Sequence, residues 1–324
     1  MNKESLSVSP VAPSGQGLFA FMRRHPLSCY FFLAYLLSWI GWLPLVLSQN
    51  GLGLLPFHLP PAAIAGGGLG PIGSSFIMTT ITSGKAGLRQ LLRRFIIWRV
   101  GALWYVFAIL GIPVLFFLGV IIIVPGAWSA FHLSSLPFIL MIEAGLFLAQ
   151  MFSSTLAEEP GWRGFALPRL QERYGSLRGS LVLASFWGCW HFPLFLLSGY
   201  NGSGSGILGV GIPFTEFLMG ILGTTIIITW VFNHTRGSLL IAMLIHAAID
   251  SFPLSFLFPQ KNISGASINI SIILGFCSFG LLILIVTRGK LGYQNNNALQ
   301  QDQASLKLSE PLPRELGEAG GGPG

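Results

Sequence analysis

Five acidic side chains stand in or beside long apolar runs of this 324-residue chain: Glu143, Glu158, Glu159, Glu216 and Asp250. Charge in such surroundings is costly and usually functional. Three of the five have evident partners. Glu158 and Glu159 are followed at once by Pro160, Gly161 and Arg163, in the stretch LAEEPGWRGFALPRLQERYG from Leu156 to Gly175. His246 precedes Asp250 by four residues in IHAAID, which puts the two one turn apart on one helix face. A second histidine, His191, stands four residues after Trp187 in WGCWHFPLF. Carboxylates and imidazoles together are the equipment of general acid and base catalysis on a water molecule, with further groups left over for an oxyanion or a metal. Each group alone also has a structural reading: a Glu/Arg cluster, a hydrogen-bonded core histidine, a self-satisfied His/Asp pair. Glu143 and Glu216, near predicted span ends, are read as structural.

The segments that must position these groups are membrane helices. Hydrophobic residues make up 52% of the chain and charged ones 9%, against about 25% charged in an ordinary soluble domain. Apolar runs of about 20 residues recur. They predict an all-α, polytopic membrane bundle of about eight transmembrane helices: Leu27 to Leu47, Ala62 to Thr82, Ala102 to Val124, Leu136 to Leu156, Leu181 to Leu197, Pro213 to Phe232, Ser238 to Phe258 and Ile268 to Val286. Residues 1–26 are expected to be a disordered tail, as are residues 289–324. The net charge of +7 does not point to nucleic acid, because the basic residues are scattered between spans rather than gathered in one patch. Except for Lys261, they fall in the tails or beside the connectors after the second, fourth and sixth spans. That pattern predicts cytoplasmic termini and a cytoplasmic Glu158 end of the fourth span.

Within this frame the Pro160-Gly161 pair is expected to break or kink the fourth helix, leaving the glutamates at a helix C-terminus. If the helix resumes, Glu159 and Arg163 pair at i, i+4 and Glu158 takes another face. Glu158 would then serve chemistry and Glu159 with Arg163 architecture. Glycine-rich Gly66 to Gly73 lacks the GK[ST] of a phosphate loop and is read as close helix packing. The basic segment from Lys85 to Arg99 is expected along the membrane surface. The segment after the fifth span is read as a flexible Gly/Ser-rich loop. Cys29, Cys189 and Cys277 are far apart in apolar runs and form neither a disulfide framework nor a zinc cluster. The first apolar run is too long for a signal-peptide core and is read as an anchor.

Taken in order, EEPGWRG, WxxxH and HxxxD resemble the three motifs of the CPBP family of intramembrane endopeptidases, the CAAX-processing and bacteriocin-processing group. The resemblance covers roughly Ile139 to Val286, so residues 136–288 are read as the catalytic bundle and 27–135 as helices enclosing it. Trp187 stands where Phe is common, and Asp250 where Asn is common. The resemblance implies peptide-bond hydrolysis in the membrane, near the C-terminus of a prenylated, CaaX-type or other membrane-associated protein, in the plasma membrane of a prokaryotic cell. It assigns catalytic roles to Glu158, Glu159, Arg163, His191, His246 and Asp250. Glu158 with His191 would activate water, and His246 with Asp250 would stabilise the oxyanion or complete a metal site. Zinc on Glu158, His191 and His246 is an acceptable ligand set, although HExxH is absent, and the family supports both a metal-dependent and a metal-free reading. Bacteriocin maturation or self-immunity within the same family is the nearer alternative. A proton-coupled transporter is the more distant one, disfavoured because the ionisable residues cluster in the second half and no internal repeat is visible.

Overall fold

A computed structural model describes residues 17–124, 136–204, 207–251 and 265–294. Among these residues the protein is helical throughout, with no strand. The helices are α1 (Leu18–Arg24), α2 (Pro26–Leu47), α3 (Ala65–Phe95), α4 (Ala102–Ile123), α5 (Leu136–Phe152), α6 (Ser154–Glu159), α7 (Leu167–Tyr174), α8 (Ser176–Trp190), α9 (Gly211–His234), α10 (Leu239–Ser251) and α11 (Gly265–Thr287). Among the described residues seven segments are long and apolar enough to cross a bilayer. An eighth, α10, contributes 13 described residues, and the rest of the predicted span to Phe258 lies outside the described residues. The molecule is an all-α, multi-pass membrane protein. Its outer surface is apolar, with Leu103, Ile122 and Phe152 each more than 70% exposed, as a lipid-facing surface requires.

Two boundaries differ from expectation. Leu18–Arg24 is a short helix inside the stretch expected to be a tail, and Pro26 opens α2 at the position where its missing N–H is free of cost. The second apolar run does not stop near Thr82 but continues to Phe95 across a bend at Gly84, which adopts φ 58. The basic residues thus begin one residue after the bend. The predicted N-terminal and C-terminal tails to residue 16 and from residue 295, the uncharged loop after α4, and Lys261 lie outside the described residues.

The glycines of the second run pack helices, as their spacing suggests. A methyl group on Gly41 of α2 would sit 2.8 Å from the carbonyl carbon of Gly66 at the start of α3. Backbones this close let Ser38 Oγ donate to the Gly67 carbonyl at 2.5 Å and Trp42 Nε1 to the Ile64 carbonyl at 2.7 Å. The α2–α3 pair in turn supports the segment that follows the two glutamates, through Tyr30, Phe31 and Pro71 against Trp162, Phe165 and Gly161.

Candidate active site

The fourth span departs from expectation at the residues that matter most. The chain leaves helical geometry at Ser153 (φ −111, ψ −90), before the glutamates, and then runs helically through Pro160. Pro160–Ala166 is a π-helical segment. Its wider turn accommodates a ring that would collide with the carbonyl four residues back in a regular α-helix. Glu158 and Glu159 are therefore not at a helix C-terminus. They lie inside a continuous apolar segment, Leu136–Tyr174, and are 6% and 0% exposed. Gly161 serves close approach rather than termination: a Cβ there would meet Tyr30 Oη and come within 2.7 Å of the Pro71 carbonyl oxygen.

This continuation explains how Glu158 and His191 reach one cavity. Sixteen residues of helix separate Glu158 from Tyr174, and fifteen separate Ser176 from His191, so each stands about 23 Å from the turn at Gly175. The turn folds α8 back along α6 and α7, and the two side chains arrive level. Gly175 makes that turn at φ 78, a conformation open to glycine. Helix α8 ends at Trp190, and Phe192–Leu196 continues as a 3-10 turn around Pro193.

One polar chain links the predicted residues. Arg163 Nη1 donates to Glu159 Oε1 at 2.8 Å, both groups fully buried, which is the i, i+4 pair expected from the sequence. His246 Nδ1 donates to the same oxygen at 2.8 Å. Its Nε2 faces Asp250 Oδ2 at 3.4 Å, and Ser154 Oγ donates to that oxygen at 2.7 Å. The Arg163 guanidinium also lies over the Trp187 ring, 4.1 Å from its centroid, a contact strengthened by exclusion of water.

Glu158 stands apart from that chain. Its Oε2 accepts from Trp187 Nε1 at 2.6 Å and from Trp162 Nε1 at 3.2 Å, which leaves Oε1 for another partner. His191 donates Nδ1–H to the Trp187 carbonyl at 2.9 Å, so its Nε2 is an acceptor. The rings of Trp190 and Phe217 flank it at 4.6 and 4.9 Å.

Glu158, His191, His246 and Asp250 line one cavity of about 710 Å³. Glu159 and Arg163 do not; they stand behind it and hold His246. Sequence reasoning missed Trp162 and Ser154 as partners of the two cavity carboxylates. Both stand four residues from an acid or at a helix start, positions too common to signal a role alone. Glu143 accepts from Ser251 Oγ and Glu216 from Asn269 Nδ2, each at 2.8 Å, and Glu216 also lines the cavity.

Of the expected zinc ligands, Glu158 keeps Oε1 and His191 keeps Nε2 as acceptors, whereas Nδ1 of His246 is held by Glu159. Both nitrogens of His246 face carboxylates and one oxygen of Glu158 is held by two indoles. Among the described residues no three histidine, cysteine or acidic side chains converge as a ligand set.

Carboxylates and histidines gathered on one cavity among membrane helices are in keeping with a membrane-embedded endopeptidase. Comparison with known proteins narrows it. The family described as type II CAAX prenyl endopeptidase, Rce1-like, matches residues 141–252, the segment that holds all three motifs. Over 235 residues the chain is 28% identical to CAAX prenyl protease 2 of Methanococcus maripaludis, spanning 68% of this chain and 81% of the relative. Both likenesses support a place for the chain among the CPBP, CAAX-type proteases.

Proposed function

We propose that the protein hydrolyses a peptide bond near the C-terminus of a membrane-associated protein with a water activated by Glu158. The observation that carries this reading is the convergence of Glu158, His191, His246 and Asp250 on one cavity inside the membrane-spanning bundle. Glu158 Oε1 takes the proton of the water, and His191 Nε2, fixed as an acceptor, orients it by accepting its second hydrogen. The two indoles prevent Glu158 from turning away. Arg163 and Glu159 act through His246 and touch no reacting atom.

The relative's printed name makes a prenylated CaaX peptide the substrate to try first. The cavity suits it: its walls include Phe116, Leu146, Leu194, Phe217, Ile249 and Ile272, which favour an apolar chain, and its volume falls in the range of sites for sizeable ligands. The test is a fluorogenic, farnesylated CaaX peptide offered to the purified protein in lipid nanodiscs. The wild type is expected to release the C-terminal tripeptide, and Glu158→Gln to lose at least 10³-fold in kcat while eluting as the same monodisperse species. Full activity in Glu158→Gln sinks the assignment of the base.

A further inference from the structure

The end of α11 is closed by a cap that carries the wrong residue for its shape. Arg288 N donates to the Ile285 carbonyl at 3.2 Å and Gly289 N to the Leu284 carbonyl at 2.9 Å. These are the paired bonds of a Schellman cap, whose left-handed residue is usually glycine. Here it is Arg288, at φ 51, where a Cβ costs energy that glycine would not. A cation at this end suits the helix dipole, but one within the last turn would do so without the strain. Leu291 is left-handed too, at φ 49, and it pins the strap from 288 to 293: the side chain is fully buried and Asn233 Nδ2 donates to its carbonyl at 2.9 Å. Gly289 brings the strap against the start of α8, where a methyl group on it would lie 3.4 Å from Leu177 Cδ2.

Between them the strap and α8 form a recess of about 320 Å³. Its wall carries three cations, Arg178, Arg288 and Lys290, together with Tyr174 and Tyr293. Among the described residues no acidic side chain lines it, Glu172 included, and none of the three cations makes an ion pair. Like charges gathered around one recess repel one another, and an anion placed among them offsets that repulsion. The recess stands where the apolar surface gives way to polar chain. The apolar run of α11 stops at Thr287, and Leu282, Ile285 and Val286 just before it are 53%, 66% and 73% exposed. On α8, Leu181 is exposed one turn inward from Leu177. A ligand with an anionic head and apolar chains finds cations at one level and lipid-facing side chains at the next, whereas a soluble anion uses only the first.

We propose that the recess between α8 and the 288–293 strap binds the headgroup phosphate of one anionic phospholipid of the surrounding bilayer, whose acyl chains lie along the exposed apolar faces of α8 and α11. Arginine suits phosphate through its planar fork of donors, and lysine through its point charge. Tyr174 and Tyr293 add hydroxyl donors, and tyrosine rings favour the depth at which headgroups lie. Basic recesses between membrane helices hold lipid headgroups in this way. The bound lipid ties the end of α11 to the start of α8, the helix that ends next to His191. The recess shares no lining residue with the cavity of Glu158, so the proposal stands apart from the peptidase reading.

Native mass spectrometry of the purified full chain, titrated with phosphatidylglycerol or phosphatidylcholine in the same detergent, tests this. The wild type is expected to hold one phosphatidylglycerol at least about 30-fold more tightly than phosphatidylcholine, from a contribution of about fivefold per cation. Arg178→Gln combined with Arg288→Gln and Lys290→Gln should cut that preference to within about threefold. A matched control, Lys85→Gln with Arg89→Gln and Arg93→Gln, removes three exposed cations from α3 instead and should keep the preference within about twofold of wild type. Arg288→Gly keeps the test valid if the triple variant misfolds. By relieving the left-handed strain it should hold or raise the thermal midpoint, while weakening phosphatidylglycerol about fivefold. Inorganic phosphate in millimolar excess should not displace the lipid. A phosphatidylglycerol affinity in Arg288→Gly equal to wild type overturns the proposal. So does an equal loss in the α3 control and the triple variant, which would mark diffuse attraction to the basic residues, or displacement by inorganic phosphate, which would mark a site for a soluble anion.

Discussion

Arg163 and Glu158 are buried a turn apart in the same segment, yet they answer to different demands. Arg163 is a fully buried charge whose one ion-pair partner is Glu159. Breaking such a pair from one side leaves the other charge stranded, at a cost of about 3–5 kcal/mol. Arg163→Ala is therefore expected to lower the thermal midpoint and the folded yield in detergent, and the double change Glu159→Gln with Arg163→Met to cost less than the sum of the single changes. Glu158→Gln keeps both indole hydrogen bonds through the remaining carbonyl oxygen and should leave the midpoint near wild type while removing activity. Chelation bears on the same residues. With His246 held between Glu159 and Asp250, 1,10-phenanthroline is expected to leave the hydrolysis rate unchanged, and metal analysis of the purified protein to show far less than one equivalent of zinc. A chelator-sensitive rate restored by zinc would require these side chains to rearrange.

At the scale of the element, the π-helical segment Pro160–Ala166 sets the direction of both glutamates. A regular α-helix there would contain one residue fewer per widened turn and would rotate everything before it by about 100°, carrying Glu158 off the cavity. The segment is clamped from outside by Gly161 against α3. Because the obstacles include the Pro71 backbone carbonyl at 2.7 Å, Gly161→Ala cannot be relieved by a rotamer change. It is expected to destabilise by about 1–3 kcal/mol and to lower kcat. Gly145→Ala, in the same span but with nothing within 4 Å of the added methyl, should leave both midpoint and kcat unchanged, which separates the clamp from a general intolerance of alanine.

At the scale of the whole molecule, the cavity and the basic turns occupy opposite ends of the bundle, which separates Glu158 from the basic residues that the charge pattern had grouped with it on one side. Asn269, on the cavity wall, begins a 19-residue apolar run that ends at Thr287, about 28 Å long and so close to the hydrocarbon thickness. Arg288 and Lys290 follow it directly, both exposed. Cysteines placed at Leu208, 97% exposed beside the cavity end, and at Lys290 are therefore expected to react with a membrane-impermeant maleimide from opposite faces of sealed vesicles, in a background lacking the three native cysteines. Labelling of both from one face would contradict the bundle.

What the sequence determined by itself is what short separations and composition control. Apolar runs of bilayer length located the spans, because every backbone polar group in lipid must be satisfied within its own helix. Helical periodicity paired Glu159 with Arg163 and His246 with Asp250, since residues four apart share a face whatever surrounds them. The gap between Glu158 and Trp187, 29 residues apart, or between Glu159 and His246, 87 apart, is bridged by packing that no local period encodes. Pro160 shows the same limit: its effect depended on whether a wider turn was supported from outside, and α3 supports it. The left-handed turn at Gly199, Asn201 and Gly202, in a segment expected to be a flexible loop, was hidden for a related reason, because glycine and serine permit both a loose loop and such a turn, and the packing of buried Ser203 selects between them.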